Sequence, residues 1–299
     1  MKLTELLRGD RLHLSFEVFP PKTSTAFEDV RAAVEEIAAL RPSFVSVTYG
    51  AGGGTSEFTL RIAEDILRTQ HVPTLAHLTC VSSTRETVRE RIAAMKQAGI
   101  ENVMALRGDL TPELMNTDRS KWDYRYAIEL VRDLKESGAD FCIGGACYPE
   151  KHPEAADLKT DIANMKKKVD AGCEFLTTQM FFDNNLLYNY LYRLREGGVT
   201  VPVVAGIMPV TNAKQMARII KLSQAFIPRR YVALLDRYSD NPAALKQAAI
   251  AYATDQIIDL LANGVNHIHV YTMNKPEVAA QIQRNLSEII PSCRKAADI

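Results

Sequence analysis

The chain has 299 residues, and its 36 Lys and Arg balance its 36 Asp and Glu. Zero formal charge argues against an extended nucleic-acid or anionic-membrane surface, which needs a basic excess. With 46% apolar and 24% charged residues, the chain has the make-up of a globular protein large enough to need neither disulfides nor a structural metal.

A first strand is predicted at 12–19 (LHLSFEVF) and runs into Pro20-Pro21. Ser24 and Thr25 stand where a helix cap is expected, ahead of an amphipathic stretch at 26–40. In that stretch Val30, Val34, Ile37 and Leu40 recur at three- and four-residue spacing. A second strand at 44–49 (FVSVTY) is followed by Gly50-Ala-Gly-Gly-Gly54. This run is not a GxxxxGK[ST] phosphate loop, and Thr55 stands where a dinucleotide fingerprint needs its last Gly, so it reads as a tight turn. The third strand, 73–80 (PTLAHLTC), precedes Ser82, Ser83 and Thr84, which can cap the next helix. Strands four and five are predicted at 102–107 (NVMALR) and 141–148 (FCIGGACY).

After strand five, Asp161, Asn164 and Lys168 lie at i, i+3 and i+7 on one helix face. That face could grip ribose hydroxyls and a pyrophosphate, although Lys166-Lys167-Lys168 taken alone reads as a solvated face. Strands six, seven and eight are predicted at 175–182 (FLTTQMFF), 201–207 (VPVVAGI) and 265–273 (VNHIHVYTM). The segment 223–262 is longer than one crossover helix needs and reads as a loop plus an extra helix. Gly99, Gly138, Gly172, Gly198 and Gly264 each fall between a helix and the next strand, where a left-handed cap is expected.

Eight strand–helix units in roughly 270 residues predict a closed (β/α)8 TIM barrel, an α/β fold forming one domain over 1–299. An open doubly wound sheet would usually carry GxGxxG after its first strand, and here Pro20-Pro21 follows instead. The five Cys (Cys80, Cys142, Cys147, Cys173, Cys293) form no CxxC and sit mostly in apolar runs, so a reduced, cytoplasmic setting is expected. MKLTELLRGDRLH lacks the apolar core of a signal peptide, and no run reaches the ~18–20 apolar residues of a membrane span.

In a barrel, catalytic residues belong at the C-terminal strand ends. Those ends carry Glu17, Thr48-Tyr49, His77, Arg107-Gly108-Asp109, Tyr148, Gln179 and Tyr271, whereas the opposite face is mostly Gly, Pro and short polar linkers. Glu17 lies inside the apolar run Phe16-Glu-Val-Phe19, where desolvation raises a carboxyl pKa. It reads as a general acid or as a strand carboxylate paired with a cation. Asp109 could likewise serve a ligand or pair with Arg107, while Gly108 allows close backbone approach. His267 and His269 alternate along the last strand and read as hydrogen-bonded core histidines, so no metal is expected. His77 is placed for ligand contact or for a structural role.

The motifs, in order, are Phe16-Glu-Val-Phe-Pro-Pro21, Phe44-Val-Ser-Val-Thr-Tyr-Gly50, His77-Leu-Thr-Cys80, Leu106-Arg-Gly-Asp-Leu110, Tyr148-Pro-Glu-Lys-His-Pro-Glu-Ala155, Lys168-Val-Asp-Ala-Gly172, Thr178-Gln179, Gly206-Ile-Met-Pro209 and Tyr271-Thr-Met-Asn274. Together they resemble the methylenetetrahydrofolate reductases of the short bacterial type, which lack a regulatory domain. The resemblance implies a (β/α)8 barrel that binds FAD non-covalently and reduces 5,10-methylenetetrahydrofolate to 5-methyltetrahydrofolate. It implies NADH or NADPH as hydride donor, a ping-pong sequence, and a place in one-carbon metabolism and methionine biosynthesis. It also implies a homo-oligomer, with an electron-transfer partner subunit in some relatives.

Residue by residue, Glu17 matches the family's general acid and Asp109 a carboxylate that holds the pterin near the flavin. Gln179 matches a residue touching both folate and nicotinamide, Thr48 a nicotinamide-side contact and Gln215 a folate contact. Tyr49, Ala51, His77, Arg107, Gly108, Tyr126 and Ala127 match positions around FAD. So do Tyr148, His152, Ala155, Asp161, Asn164 and Lys168. Ile219 stands where well-known bacterial members carry a Phe that packs on substrate, and Lys275 where they carry an Arg near the folate. The loop 111–121 also departs from theirs.

Other barrel enzymes need residues that this chain does not place at its predicted strand ends. A Schiff-base aldolase needs a Lys at a strand end, and no predicted strand carries one. A metal-dependent hydrolase needs clustered His and Asp ligands, and the one His-x-His is mid-strand. Another flavin-binding barrel oxidoreductase remains an alternative, as does a non-catalytic flavin- or folate-binding module, which would have no use for a proton donor at Glu17.

Overall fold

The computed structural model describes residues 1–9, 11–21, 23–49, 56–110, 112–212, 216, 219 and 225–291. Eight parallel strands close into a barrel in sequential order, β1 to β8. They are β1 (His13–Val18), β2 (Val45–Val47), β3 (Thr74–Thr79), β4 (Asn102–Leu106), β5 (Cys142–Cys147), β6 (Phe175–Thr178), β7 (Val203–Ile207) and β8 (His267–Tyr271). Each falls inside its predicted window. The described helices are α1 (Leu3–Leu6), α2 (Phe27–Ala39), α3 (Ser56–Asp65), α4 (Arg85–Gln97), α5 (Pro112–Met115) and α6 (Ala127–Glu136). They continue with α7 (Leu158–Asp170), α8 (Asn184–Glu196), α9 (Arg229–Tyr238), α10 (Pro242–Ala262) and α11 (Pro276–Asn285). The fold is a single-domain (β/α)8 barrel.

Each strand is buried on both faces, for different reasons. Outward residues such as Phe16, Val45, Val103 and Ile268 pack under the helices in the main apolar cluster. Inward residues near the strand starts (Phe44, Leu75, Met104, Cys142, Phe175 and Val204) fill the barrel, where Leu3 and Leu7 join them. The segment bearing α1 therefore plugs the barrel floor. Asn102 holds it there, accepting from the Leu3 N–H at 2.8 Å and donating to the Met1 carbonyl at 3.1 Å and the Thr74 carbonyl at 3.2 Å. Toward the strand ends the inward positions turn polar, giving Ser15 then Glu17, Leu75 then His77, and Phe175 then Thr177.

Two local expectations need correction, and the reading of 223–262 as a loop plus an extra helix holds. Ser24 and Thr25 do not cap α2. They lie in a 3-10 turn, Ser24–Ala26, and Ala26 is the N-cap residue. The Thr25 hydroxyl bonds that of Thr23 at 2.9 Å instead. The sixth strand stops at Thr178, four residues before the apolar run ends. Phe181 and Phe182 are buried as loop residues, and their carbonyls accept from Gln256 at 3.0 Å and Tyr252 at 2.7 Å on α10. The segment 223–262 holds two helices among its described residues, α9 and α10. Asn241 caps the second by accepting from the Ala244 N–H at 3.1 Å. Thr84 does cap α4, accepting from the Thr87 N–H at 3.2 Å. The five helix-terminal glycines all adopt positive φ, from 68° at Gly138 to 120° at Gly172.

Candidate active site

A cleft of about 860 Å³ opens at the C-terminal mouth of the barrel. That is near the upper end of the roughly 300–1,000 Å³ usual for small-molecule sites. Its floor is made by inward side chains at the ends of β1, β3 and β8. The Glu17 Oε2 lies 3.8 Å from the His77 Nε2 and 4.0 Å from the His269 Nε2. These are not ion pairs. Burial pushes the Glu17 carboxyl up to about 8, His77 down to about 4 and His269 down to about 3. At neutral pH the floor is therefore uncharged, with a protonated carboxylic acid facing the cleft. Glu17 retains about 20% side-chain exposure, enough for a ligand to reach it.

Tyr271 closes the floor on the β8 side. Its ring meets His269 edge-on at 5.5 Å, and its hydroxyl donates to the Thr178 carbonyl at 2.5 Å. Gly206 makes this possible, because a Cβ there would collide with the Tyr271 hydroxyl. Beside it the Thr177 hydroxyl is buried with no hydrogen-bond partner while lining the cleft.

The wall over β4 and β5 is cationic and aromatic. Arg107 does not pair with Asp109. It pairs with Glu154 at 2.8 Å, and Arg119 approaches the same carboxylate at 3.6 Å. Asp109 is exposed in the cleft. Gly108 has φ +94°, and a Cβ there would meet the Val81 side chain at 2.8 Å, so no other residue fits this turn. Tyr148 packs edge-on against His152 at 4.7 Å, and burial raises its hydroxyl to about 12.

Helix α7 presents the face read from the sequence. Asp157 caps it, accepting from the Thr160 N–H at 2.7 Å. Asp161 accepts from the His152 N–H at 3.1 Å, and burial raises its carboxyl. The Lys168 ammonium donates to the Ala146 carbonyl at 2.8 Å, and burial lowers its pKa. Asn164 completes the row, while Tyr126 and Ala127 border the cleft at the start of α6. Two cations with hydroxyl-seeking polar groups beside them suit a phosphate-bearing ligand.

The cleft thus gathers Glu17, His77, Arg107, Gly108, Asp109, Tyr126, Ala127, Tyr148, His152, Ala155, Asp161, Asn164, Lys168 and Gln179. The Gln179 side-chain oxygen accepts its neighbour Met180's N–H at 2.9 Å. Three expected residues are not among the lining. Thr48 is held by its N–H to the Val18 carbonyl at 2.9 Å. Tyr49 is buried, with the Arg91 guanidinium 5.3 Å from its ring centre. Lys275 donates to the Thr211 hydroxyl at 2.7 Å. Ile219 is buried in an apolar cluster with Phe182, Met208 and Tyr231. Ala51, Gln215, the rest of the run Gly50–Gly54 and Cys293 lie outside the described residues. Ser15, Ser46, Thr177 and Glu154 were not singled out from the sequence, since their roles depend on neighbours from other strands. Among the described residues no three His, Cys, Asp or Glu are grouped to hold a metal ion, and no helix is long and apolar enough to cross a membrane.

Fold and cleft define a (β/α)8-barrel protein with a ligand-sized cleft whose floor carries a desolvated carboxylic acid. The family model for methylenetetrahydrofolate reductase matches residues 2–287, so the chain belongs to that family. A methylenetetrahydrofolate reductase (NADH) of Zea mays is 35% identical over 298 residues, covering 96% of this chain and 50% of that protein. The 5,10-methylenetetrahydrofolate reductases of Pectobacterium carotovorum and Escherichia coli are 36% and 35% identical, and each match covers 92% of this chain. The chain thus spans about half the length of the plant relative and about 90% of the bacterial ones. A Clostridium thermocellum protein described as binding two copies of 5-methyl-5,6,7,8-tetrahydrofolic acid superposes with a TM-score of 0.66 over 97% of this chain and 100% of its own. At 15% identity it shows a shared fold alone.

Proposed function

We propose that the protein reduces 5,10-methylenetetrahydrofolate to 5-methyltetrahydrofolate, with FAD in the barrel-mouth cleft and NADH or NADPH as hydride source, in a ping-pong sequence. Family membership supports the reading. The single observation that carries it is the Glu17 carboxyl on the cleft floor, desolvated by burial and flanked by two imidazoles rather than by a Lys or Arg.

The residues present fit a flavin dinucleotide. Arg107 and Lys168 offer cations for its pyrophosphate, and Asp161 and Asn164 offer hydroxyl partners beside them. The buried Thr177 hydroxyl has a hydrogen bond to spare. Bound FAD would supply two-electron transfer between nicotinamide and folate.

The substrate's methylene group bridges N5 and N10 in a five-membered ring that accepts hydride poorly. Glu17 gives its proton to N10, the bond from the methylene carbon to N10 breaks, and N5 becomes an iminium cation. Hydride then adds to the methylene carbon and completes the N5-methyl group. The carboxylate left on Glu17 regains its proton from solvent through the cleft. Asp109 places a negative charge in the same cleft, which favours the cation. Gln179 offers an amide to either ligand that stacks over the floor. The uncharged His77 and His269 do not compete for the Glu17 proton.

The purified protein is expected to be yellow, to bleach anaerobically with NADH or NADPH, and to recolour with methylenetetrahydrofolate. Glu17→Gln is expected to keep FAD and its bleaching by nicotinamide while losing recolouring by folate. A protein that takes up no FAD, or equal losses in both half-reactions, would overturn this reading.

A further inference from the structure

The wall that offers cations to a pyrophosphate also carries a carboxylate. Glu154 lines the cleft beside Arg107, and its Oε2 accepts from the Arg107 Nη1 at 2.8 Å. The Arg107 Nε donates to the Gly108 carbonyl at 3.4 Å, so the protein orients the guanidinium through Nη1 and Nε together. Burial works to neutralise Glu154, yet the Arg107 and Arg119 guanidiniums outweigh it and hold the carboxyl below its usual range. Glu154 is therefore ionised at neutral pH, and within the pair its charge cancels that of Arg107. A phosphate seated on Arg107 would also lie within a Debye length of Glu154, where like charges repel.

A second cation stands behind that carboxylate. The Arg119 Nη1 lies 3.6 Å from the same Oε2. Arg119 opens a 3-10 turn, Arg119–Lys121, on the segment between β4 and α6. The turn is tied at several points. Asp118 accepts from the Ser120 N–H at 2.9 Å, and the Arg125 Nη2 donates to the Ser120 carbonyl at 3.3 Å. The Arg119 guanidinium lies 5.7 Å from the Trp122 ring centre, and the Trp122 Nε1 donates to the Thr117 hydroxyl at 3.1 Å. Arg119 is not among the residues lining the cleft. Counted with it, the group Arg107, Glu154 and Arg119 is net positive, the condition for attracting an anion.

We propose that Arg119 is a positioning residue of the dinucleotide site, which takes up the charge of Glu154 and so leaves the charge of Arg107 to the ligand's phosphates. The proposal rests on the reading that FAD occupies this cleft. The three side chains divide two tasks. Glu154 fixes the direction of the Arg107 guanidinium, which alone would cost the wall its positive charge. Arg119 restores that charge without touching the ligand. It lies in the stretch 111–121, where this chain departs from the short bacterial reductases it resembles.

Dilution of the FAD-bearing protein, followed by the fluorescence of released FAD, measures the FAD dissociation constant without turnover. Arg119→Gln is expected to weaken FAD binding about threefold at low salt, the scale of a partly exposed ion pair. The difference from the unmodified protein should close at about 0.5 M salt, where screening removes it. Arg119→Lys keeps the charge and should hold FAD as the unmodified protein does. Glu154→Gln keeps an acceptor for Arg107 and removes the charge, so adding Arg119→Gln to it should change FAD binding no further. Three results would each overturn the proposal: no effect of Arg119→Gln at low salt, an effect that salt does not diminish, or the same effect with Glu154→Gln already in place. If the protein holds no FAD, it is the proposed reaction that falls. Calorimetric titration with ADP, which carries the same diphosphate, then reads the same cycle of variants, with the same three results counting against Arg119.

Discussion

A carboxylic acid that must give up a proton near neutral pH has to be removed from water without being paired with a cation. Glu17 meets both conditions, because its neighbours on β3 and β8 are imidazoles kept neutral by the same burial. The sequence already hinted at this, since a lone Glu inside Phe16–Phe19 is desolvated wherever the strand goes. The absence of a paired cation was not readable, because it depends on side chains 60 and 252 residues away (His77 and His269). Glu17 is protonated below about 8 and loses its proton above it. The rate of flavin reoxidation by methylenetetrahydrofolate is therefore expected to fall tenfold per pH unit above about 8, while reduction by nicotinamide does not share that limb. Stopped-flow measurement of each half-reaction between pH 6 and 10 checks this, and a matching limb in both would contradict it.

At the scale of elements, period and punctuation located every strand, and the overlong sixth strand has a tertiary cause. Phe181 and Phe182 continue the apolar pattern of β6 but are buried as loop residues, and α10 side chains take their carbonyls. A local pattern reports that a residue is buried, not what buries it. The glycine in β7 shows the same limit. Gly206 belongs to the motif Gly206-Ile-Met-Pro209, yet its use appears only when β8 closes the barrel and sets Tyr271 against it. Gly206→Ala is expected to push the Tyr271 ring from the Thr178 carbonyl into the cleft. The fold should lose about 1–3 kcal/mol, the usual range for overpacking. Folate affinity should drop more than nicotinamide affinity. Titration of the oxidised protein with each ligand, alongside denaturant unfolding, tests both parts.

For the whole molecule, the barrel separates stability from chemistry along its axis. The starts of the strands enclose an apolar plug, to which Leu3 and Leu7 contribute from outside the barrel strands. The ends of the strands enclose the acid and the cationic wall. Leu3→Ala is expected to destabilise the fold by about 2–5 kcal/mol through the cavity it leaves. Flavin content and the midpoint of the Glu17 titration should stay unchanged, because the plug lies at the far end from the cleft. Denaturant unfolding with a spectral assay of bound flavin measures both, and a loss of flavin in the folded variant would count against this division.

Residue order alone determined the eight-fold repeat, the polar strand ends and the α7 face of Asp161, Asn164 and Lys168. These rest on spacings within a turn of helix or a few positions of strand, where chemistry and geometry are both local. Tertiary structure decided the partner of Arg107, the two imidazoles beside Glu17, the Ser15 and Ser46 hydroxyls on the His269 ring nitrogens, and the absence of Thr48, Tyr49 and Lys275 from the cleft lining. Each of these depends on which strand lies next to which and on where each side chain stands along the barrel axis. Barrel closure sets both, and no run of neighbouring residues records them.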